Sequence, residues 1–138
     1  MNYLLDTNVI SEMTKRRRAP QVTAWLETVN GPTLHTSVLV LGEIRKGVEQ
    51  TRRRDPAQAA AFESWLSRLQ NEFGLRIAPV TAEVAEEWGR FNAVRTVPVI
   101  DGLIGATARA HGWTLATRNT KDFAGLDLEV VNPFEWPV

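Results

Sequence analysis

The chain has 138 residues and a mass of 15.5 kDa, which suits one domain (1–138) with a sizeable core and excludes two. Hydrophobic residues at 43% and charged residues at 23% are globular values, and they exclude a coiled coil or a disordered chain. Cysteine is absent and histidine is limited to His35 and His111, so disulfides and thiolate metal sites are excluded and any metal would be held by oxygen.

Sixteen basic residues balance sixteen acidic ones, so the whole-molecule field does not announce a nucleic-acid partner. Two local basic runs stand out, Lys15-Arg16-Arg17-Arg18 and Arg52-Arg53-Arg54, each just beyond a predicted helix. Either run reads as a solvated helix end favoured by the macrodipole or as a contact for phosphates or a partner. No apolar run approaches the ~20 residues that span a bilayer, and no basic stretch followed by an apolar one opens the chain. A soluble, cytoplasmic protein without a membrane partner is expected.

In chain order, Asn2 to Leu5 reads as a buried strand that delivers Asp6 to its tip, with a helix from Thr7 to about Lys15 behind it. Strand tips of an open parallel sheet border the crevice where ligands bind. The alternative for Asp6, Thr7 or Asn8 is a helix cap. Pro20 to Val29 reads as a second helix, with Pro20 in its first turn and Val22, Trp25, Leu26 and Val29 on one face. After the Asn30-Gly31-Pro32 turn, Thr33 to Thr36 has strand character, and Thr36 or Ser37 caps a helix running to about Gln50. Within it Glu43 lies on the side of Leu39 and Val40, so it is either a buried acid in need of a partner or a peripheral one paired with Lys46.

Asp55-Pro56 starts a long packing helix in which Ala59, Phe62, Leu66, Leu69 and Phe73 recur at spacings of three and four until Gly74. Leu75 to Pro79 reads as a buried strand, and Thr81 opens a helix with Val84, Trp88 and Phe91 inward. Pro98 precedes a further helix with Asp101 in its first turn, where an acid also complements the dipole. Gly102 and Gly105 in that helix each cost up to ~1 kcal/mol relative to alanine, which close packing against a neighbour would offset. Gly112 ends it. Trp113 to Thr117 is a strand, Arg118 to Phe123 a polar loop that brings Asp122 to the edge of Asp6 or serves as a turn, and Leu128 to Val131 a last strand. Asn132 to Trp136 packs the C-terminus down.

Strands alternating with helices predict an α/β fold, a mostly parallel five-stranded sheet flanked by helices, whose tips can gather Asp6, Glu43, Asp101 and Asp122 into one crevice. Carboxylates a few ångströms apart raise each other's pKa unless a divalent cation neutralises them, and hard oxygen donors suit Mg²⁺ or Mn²⁺. The associated chemistry is most often phosphodiester hydrolysis or phosphoryl transfer.

Four segments in register, LLDTNVISE, SVLVLGEIRKG, PVIDGLIGATARAHG and LATRNTKDF, resemble the PIN-domain ribonucleases of the VapC type, closest to the FitB-like subgroup. The resemblance spans the chain and implies a PIN-like three-layer fold and a metal-dependent endoribonuclease. Asp6, Glu43, Asp101 and Asp122 match the family's acids, with Thr7, Asn8, Thr117 and Asn119 as polar helpers. It further implies the toxin of a toxin-antitoxin pair, a homodimer silenced by a cognate antitoxin, with RNA as substrate. Arg16 to Arg18 and Arg52 to Arg54 are then candidate RNA or partner contacts. The other reading is a catalytically silent PIN-like module that only binds. Two departures stand out: Asn92 to Val97 is shorter and less basic than usual, and Gly102 and Gly105 stand where alanines are common.

Overall fold

In the computed structural model, which describes residues 1–138, the apolar run at the N-terminus forms the central strand β1 (Tyr3–Leu5). Leu4 and Leu5 are fully buried. Because helices cover both faces of a parallel sheet, such a strand is a continuous apolar run and not an alternating one. It is followed by α1 (Thr7–Met13), α2 (Pro20–Leu26), β2 (Leu34–Ser37), α3 (Val38–Arg52) and α4 (Pro56–Phe73). Then come β3 (Ile77–Ala78), α5 (Ala82–Val94), α6 (Val99–His111), β4 (Thr114–Ala116) and β5 (Val130–Val131). All neighbouring strands are parallel, in the order β3-β2-β1-β4-β5.

This order places the topological switch at β1, because the chain moves to one side through β2 and β3 and to the other through β4 and β5. Leu5 of β1 pairs with Ala116 of β4, so Asp6 and Thr117 emerge side by side at the switch. That is where open α/β sheets bind ligands. On the faces, α3 packs on α4 and α5 on α6. One apolar cluster joins both layers, with Leu4, Val40, Leu66, Ile104 and Leu115 among its members. Each such side chain, fully withdrawn from water, stabilises by roughly 1.5–3 kcal/mol.

Several boundaries differ from the sequence expectation, for local reasons. Helix α1 ends at Met13 and leaves Lys15 to Arg18 as an exposed loop, and α2 ends at Leu26, with Val29 outside it. Ser37, not Thr36, caps α3 by accepting from Leu39 N at 3.0 Å. Of the strand expected from Leu75 to Pro79 only Ile77–Ala78 forms, with Ala78 buried and Ile77 partly so. Gly74 adopts φ +49°, which ends α4 and leads into a 3₁₀ turn over Gly74–Arg76 with Leu75 in solvent. The edge strand is therefore only two residues long, a common way to blunt a sheet edge. Phe62 also departs from expectation, lying 40% exposed.

Candidate active site

Asp6 has two roles at once. Its Oδ1 accepts from Thr7 N at 2.7 Å, capping α1, and its Oδ2 accepts from Thr117 Oγ1 at 2.7 Å. Capping and site membership are therefore compatible. Asp6 is only 4% exposed and Thr117 fully buried. Thr117 Oγ1 in turn accepts from Asn8 Nδ2 at 3.3 Å and Asn119 N at 3.1 Å, and Asn8 Oδ1 accepts from Arg118 N at 3.0 Å. Asn119 thus contributes its main-chain N–H, with no side-chain hydrogen bond. The tips of β1 and β4 are stitched together by these side chains.

Glu43 faces the crevice. Its Oε1 accepts from Thr7 Oγ1 at 2.5 Å, and no ion pair to Lys46 forms. Asp101 lies in the first turn of α6 and caps nothing, since Pro98 occupies the cap position without a side-chain bond. Asp122 lies in a 3₁₀ turn, Thr120–Phe123, instead of an irregular loop.

The charges of these four acids are felt across the crevice. Burial pushes the Asp6 carboxyl above its ordinary range; the Thr117 and Thr7 hydrogen bonds oppose this, and the charges of Glu43 and Asp122 add to it. Asp101 is raised as well, by burial and then by Asp6, Asp122 and Glu43. None of the four carboxylates has a basic partner. Oxygen donors of one charge with no counter-charge from the chain match a hard divalent cation in donor chemistry, though not in placement. One expectation needs correction: the carboxylates are not gathered within a few ångströms, because no three converge closely enough to share an ion as the side chains stand. They form an electrostatically coupled group, not a finished cage.

The basic runs separate into two kinds. Arg52 is not free, since it bonds Glu49 through Nε at 3.1 Å and Glu63 through Nη2 at 2.8 Å, tying α3 to α4. Arg53, Arg54, Arg16 and Arg17 are exposed and unpaired, and Arg18 donates to the Met13 carbonyl at 3.2 Å.

Sequence reasoning passed over Glu12, which is buried. It accepts from Ala19 N at 2.8 Å and pairs with Lys15 at 3.0 Å, folding the basic loop over its own carboxylate. The Ala19 N–H and then Lys15 hold its pKa below the usual range. Its spacing of three from buried Val9 on α1 was the available signal. Arg118 was also passed over; its guanidinium lies 3.8 Å over the Phe134 ring.

A five-stranded parallel sheet covered by helices, with Asp6 and Thr117 joined at its switch point, defines an α/β protein of the open-sheet class. The chain belongs to the PIN-domain family, which it matches over residues 3–127. It is 31% identical to the VapC ribonuclease Y4jK of Sinorhizobium fredii, over 96% of this chain and 97% of that protein. The crystal structure of FitAcB from Neisseria gonorrhoeae is similar with a TM-score of 0.87 and 30% identity, covering 96% of this chain and 99% of that one. A toxin-antitoxin complex from Klebsiella pneumoniae has a TM-score of 0.70 and 27% identity, covering 97% and 99%.

Proposed function

We propose that this chain is a Mg²⁺- or Mn²⁺-dependent endoribonuclease and the toxin of a toxin-antitoxin pair, with Asp6, Glu43, Asp101 and Asp122 as its acidic site. The observation that carries the reading is a set of four carboxylates without a basic partner, in which burial and then the charges of Glu43 and Asp122 raise Asp6, and burial and then the charges of Asp6, Asp122 and Glu43 raise Asp101. A divalent ion bound there supplies positive charge to a scissile phosphate and makes water more acidic. The chain's own part is orientation. Thr117 and Thr7 fix the two oxygens of Asp6, Thr7 also fixes Glu43, and Asn8 locks β1 to β4. Asp101 makes no side-chain hydrogen bond, so its carboxylate is free to ligate or to accept the proton of the attacking water. In the reaction the water oxygen bonds to phosphorus, the bridging P–O bond breaks, and the leaving oxygen is protonated.

The ribonuclease and toxin-antitoxin names of the relatives support this reading. A cavity of about 460 Å³ beside Glu43 and Thr7, walled by Ile44, Val48, Phe62 and Trp65, offers apolar surface to a cognate antitoxin and accounts for the exposure of Phe62. Exposed Val94, Val99 and Ile100 at the α5–α6 junction are compatible with a homodimer. No helix is long and apolar enough to cross a membrane, and a cytoplasmic location is part of the proposal. Arg16 to Arg18, Arg53 and Arg54 remain candidate contacts for RNA or partner.

The test is incubation of purified chain with single-stranded and structured RNA, with Mg²⁺, Mn²⁺ or EDTA. Metal-dependent cleavage that disappears in Asp101→Asn is expected. Binding without cleavage under either metal would instead indicate a silent module.

A further inference from the structure

Asp122 is the one acid of the site carried by neither a strand tip nor an α-helix. It lies in a single 3₁₀ turn next to exposed Lys121, and its carboxylate makes no hydrogen bond. Besides the main-chain hydrogen bonds of the turn itself, Asp122 N to Asn119 O at 3.1 Å and Ala124 N to Lys121 O at 3.3 Å, two side-chain contacts brace it. Arg95, the residue that ends α5, donates from Nη2 to the main-chain carbonyl of Asp122 at 2.6 Å and of Ala124 at 3.0 Å, and from Nε to Ala124 at 3.1 Å. Buried Phe123 also lies on α6 at Gly105, where a Cβ would stand 2.8 Å from Phe123 Cε1 and 3.1 Å from Cδ1. Only a residue without a side chain admits the ring so close to the helix that carries Asp101.

We propose that Arg95 is a positioning residue for Asp122, with Gly105 as the seat of the same turn, and that together they set the reach of Asp122 towards Asp6 and Asp101. The chemistry favours this role over a simple ion pair. A guanidinium bonded to the carboxylate would cancel the charge the site needs, whereas one that grips the main-chain carbonyls holds the residue and leaves the carboxylate free. The rigid fork spans two carbonyls, which an ammonium cannot do in the same way. The short segment from Asn92 to Val97 is shaped for the grip. Asn92 Nδ2 donates to the Trp88 carbonyl at 2.9 Å, Asn92 Oδ1 accepts from Val97 N at 3.3 Å, and Val97 is buried.

This inference rests on the metal-site reading above, and its test separates the two. Mn²⁺ affinity is measured by the EPR signal of free ion on the full chain for wild type, Arg95→Ala, Arg95→Lys, Gly105→Ala, Asp122→Asn and the Arg95→Ala/Asp122→Asn double variant. RNA cleavage and melting in EDTA are read alongside. Loss of a supporting residue of this kind lowers metal affinity about tenfold or more, and Arg95→Ala and Gly105→Ala are expected to show that loss. Arg95→Lys should recover little of it. The double variant should bind no more weakly than Asp122→Asn alone, because the effect of Arg95 passes through Asp122. A purely structural arginine would add its loss in full to that of Asp122→Asn. Wild-type affinity in Arg95→Ala, or full additivity in the double variant, overturns the inference. If Arg95→Ala does not fold, the same comparison made with Gly105→Ala decides. Wild type that neither binds Mn²⁺ nor cleaves RNA overturns the metal-site reading and the inference with it.

Discussion

Thr117→Val tests how the site holds its buried charge. Valine keeps the shape of a fully buried side chain and removes the hydroxyl that donates to Asp6 Oδ2 at 2.7 Å. A hydrogen bond to a charged acceptor contributes about 1.5–3 kcal/mol, and at 4% exposure Asp6 cannot turn to water to replace it. The two donors that Thr117 accepts from belong to half-buried Asn8 and exposed Asn119, which water reaches, so their loss adds little. The net cost should be about 2–3 kcal/mol, and at roughly 3–4 °C per kcal/mol for a domain of this size the melting temperature should fall on the order of 10 °C.

The pH dependence has a definite sign. Asp6 is raised in the folded state by burial, and the Thr117 bond is the largest effect opposing that rise. A raised group contributes stability that is fully present below its unfolded pKa of ~3.9 and is lost as pH rises through the folded value. Removing Thr117 raises Asp6 further, so the gap between wild type and variant should be widest near neutral pH and close towards about pH 4. The assay is thermal melting in EDTA at both pH values. A neutral-pH melt within a degree of wild type, or a gap independent of pH, would show that Thr117 does not hold the Asp6 charge.

Asp101→Asn should melt higher than wild type in EDTA, because it removes a charge that Asp6, Asp122 and Glu43 oppose and breaks no cap; added Mn²⁺ should then raise the wild-type midpoint more. A lower midpoint in EDTA would make Asp101 a structural acid. Glu43→Gln keeps an acceptor for Thr7, so circular dichroism melts should change little while metal-dependent cleavage falls about 10–100-fold; retained cleavage would remove Glu43 from the site. Arg52→Ala should shift the melting midpoint little, as surface ion pairs contribute little, and leave the salt dependence of RNA binding unchanged, since its guanidinium is occupied by Glu49 and Glu63. Replacing Arg16, Arg17 and Arg18 together should flatten the salt slope by up to about 0.7 for each phosphate no longer neutralised, and an unaltered slope would exclude them as phosphate ligands.

The parts of this molecule written in local pattern were legible in the sequence. Five apolar segments alternating with periodic ones carried the parallel sheet, and the abrupt stop of Leu4-Leu5 on Asp6 marked the strand tip at the switch point. Asp101 in the first turn after Pro98 was equally visible. What depends on long-range geometry was not legible. The basic run containing Arg52 reads as free charge until α4 brings Glu63 beside it. The periodicity that includes Phe62 does not tell a core position from the wall of an exposed groove. Leu75 looked buried by composition, but Gly74 turned it outward. Arg95 carried no signal at all, because its partners are main-chain carbonyls 27 and 29 positions away. The two glycines of α6 did signal close packing, and the structure supplies the neighbours: Trp88 against Gly102 and Phe123 against Gly105.

If carboxylates from four separate elements act together on one divalent ion, that ion should be visible in place. Anomalous diffraction from crystals of the chain soaked in Mn²⁺ would locate it. A peak is expected in the crevice bordered by Asp6, Glu43, Asp101 and Asp122, absent from Asp101→Asn crystals. A peak elsewhere on the molecule, with this crevice empty at the same Mn²⁺ concentration, would contradict the shared-ion site.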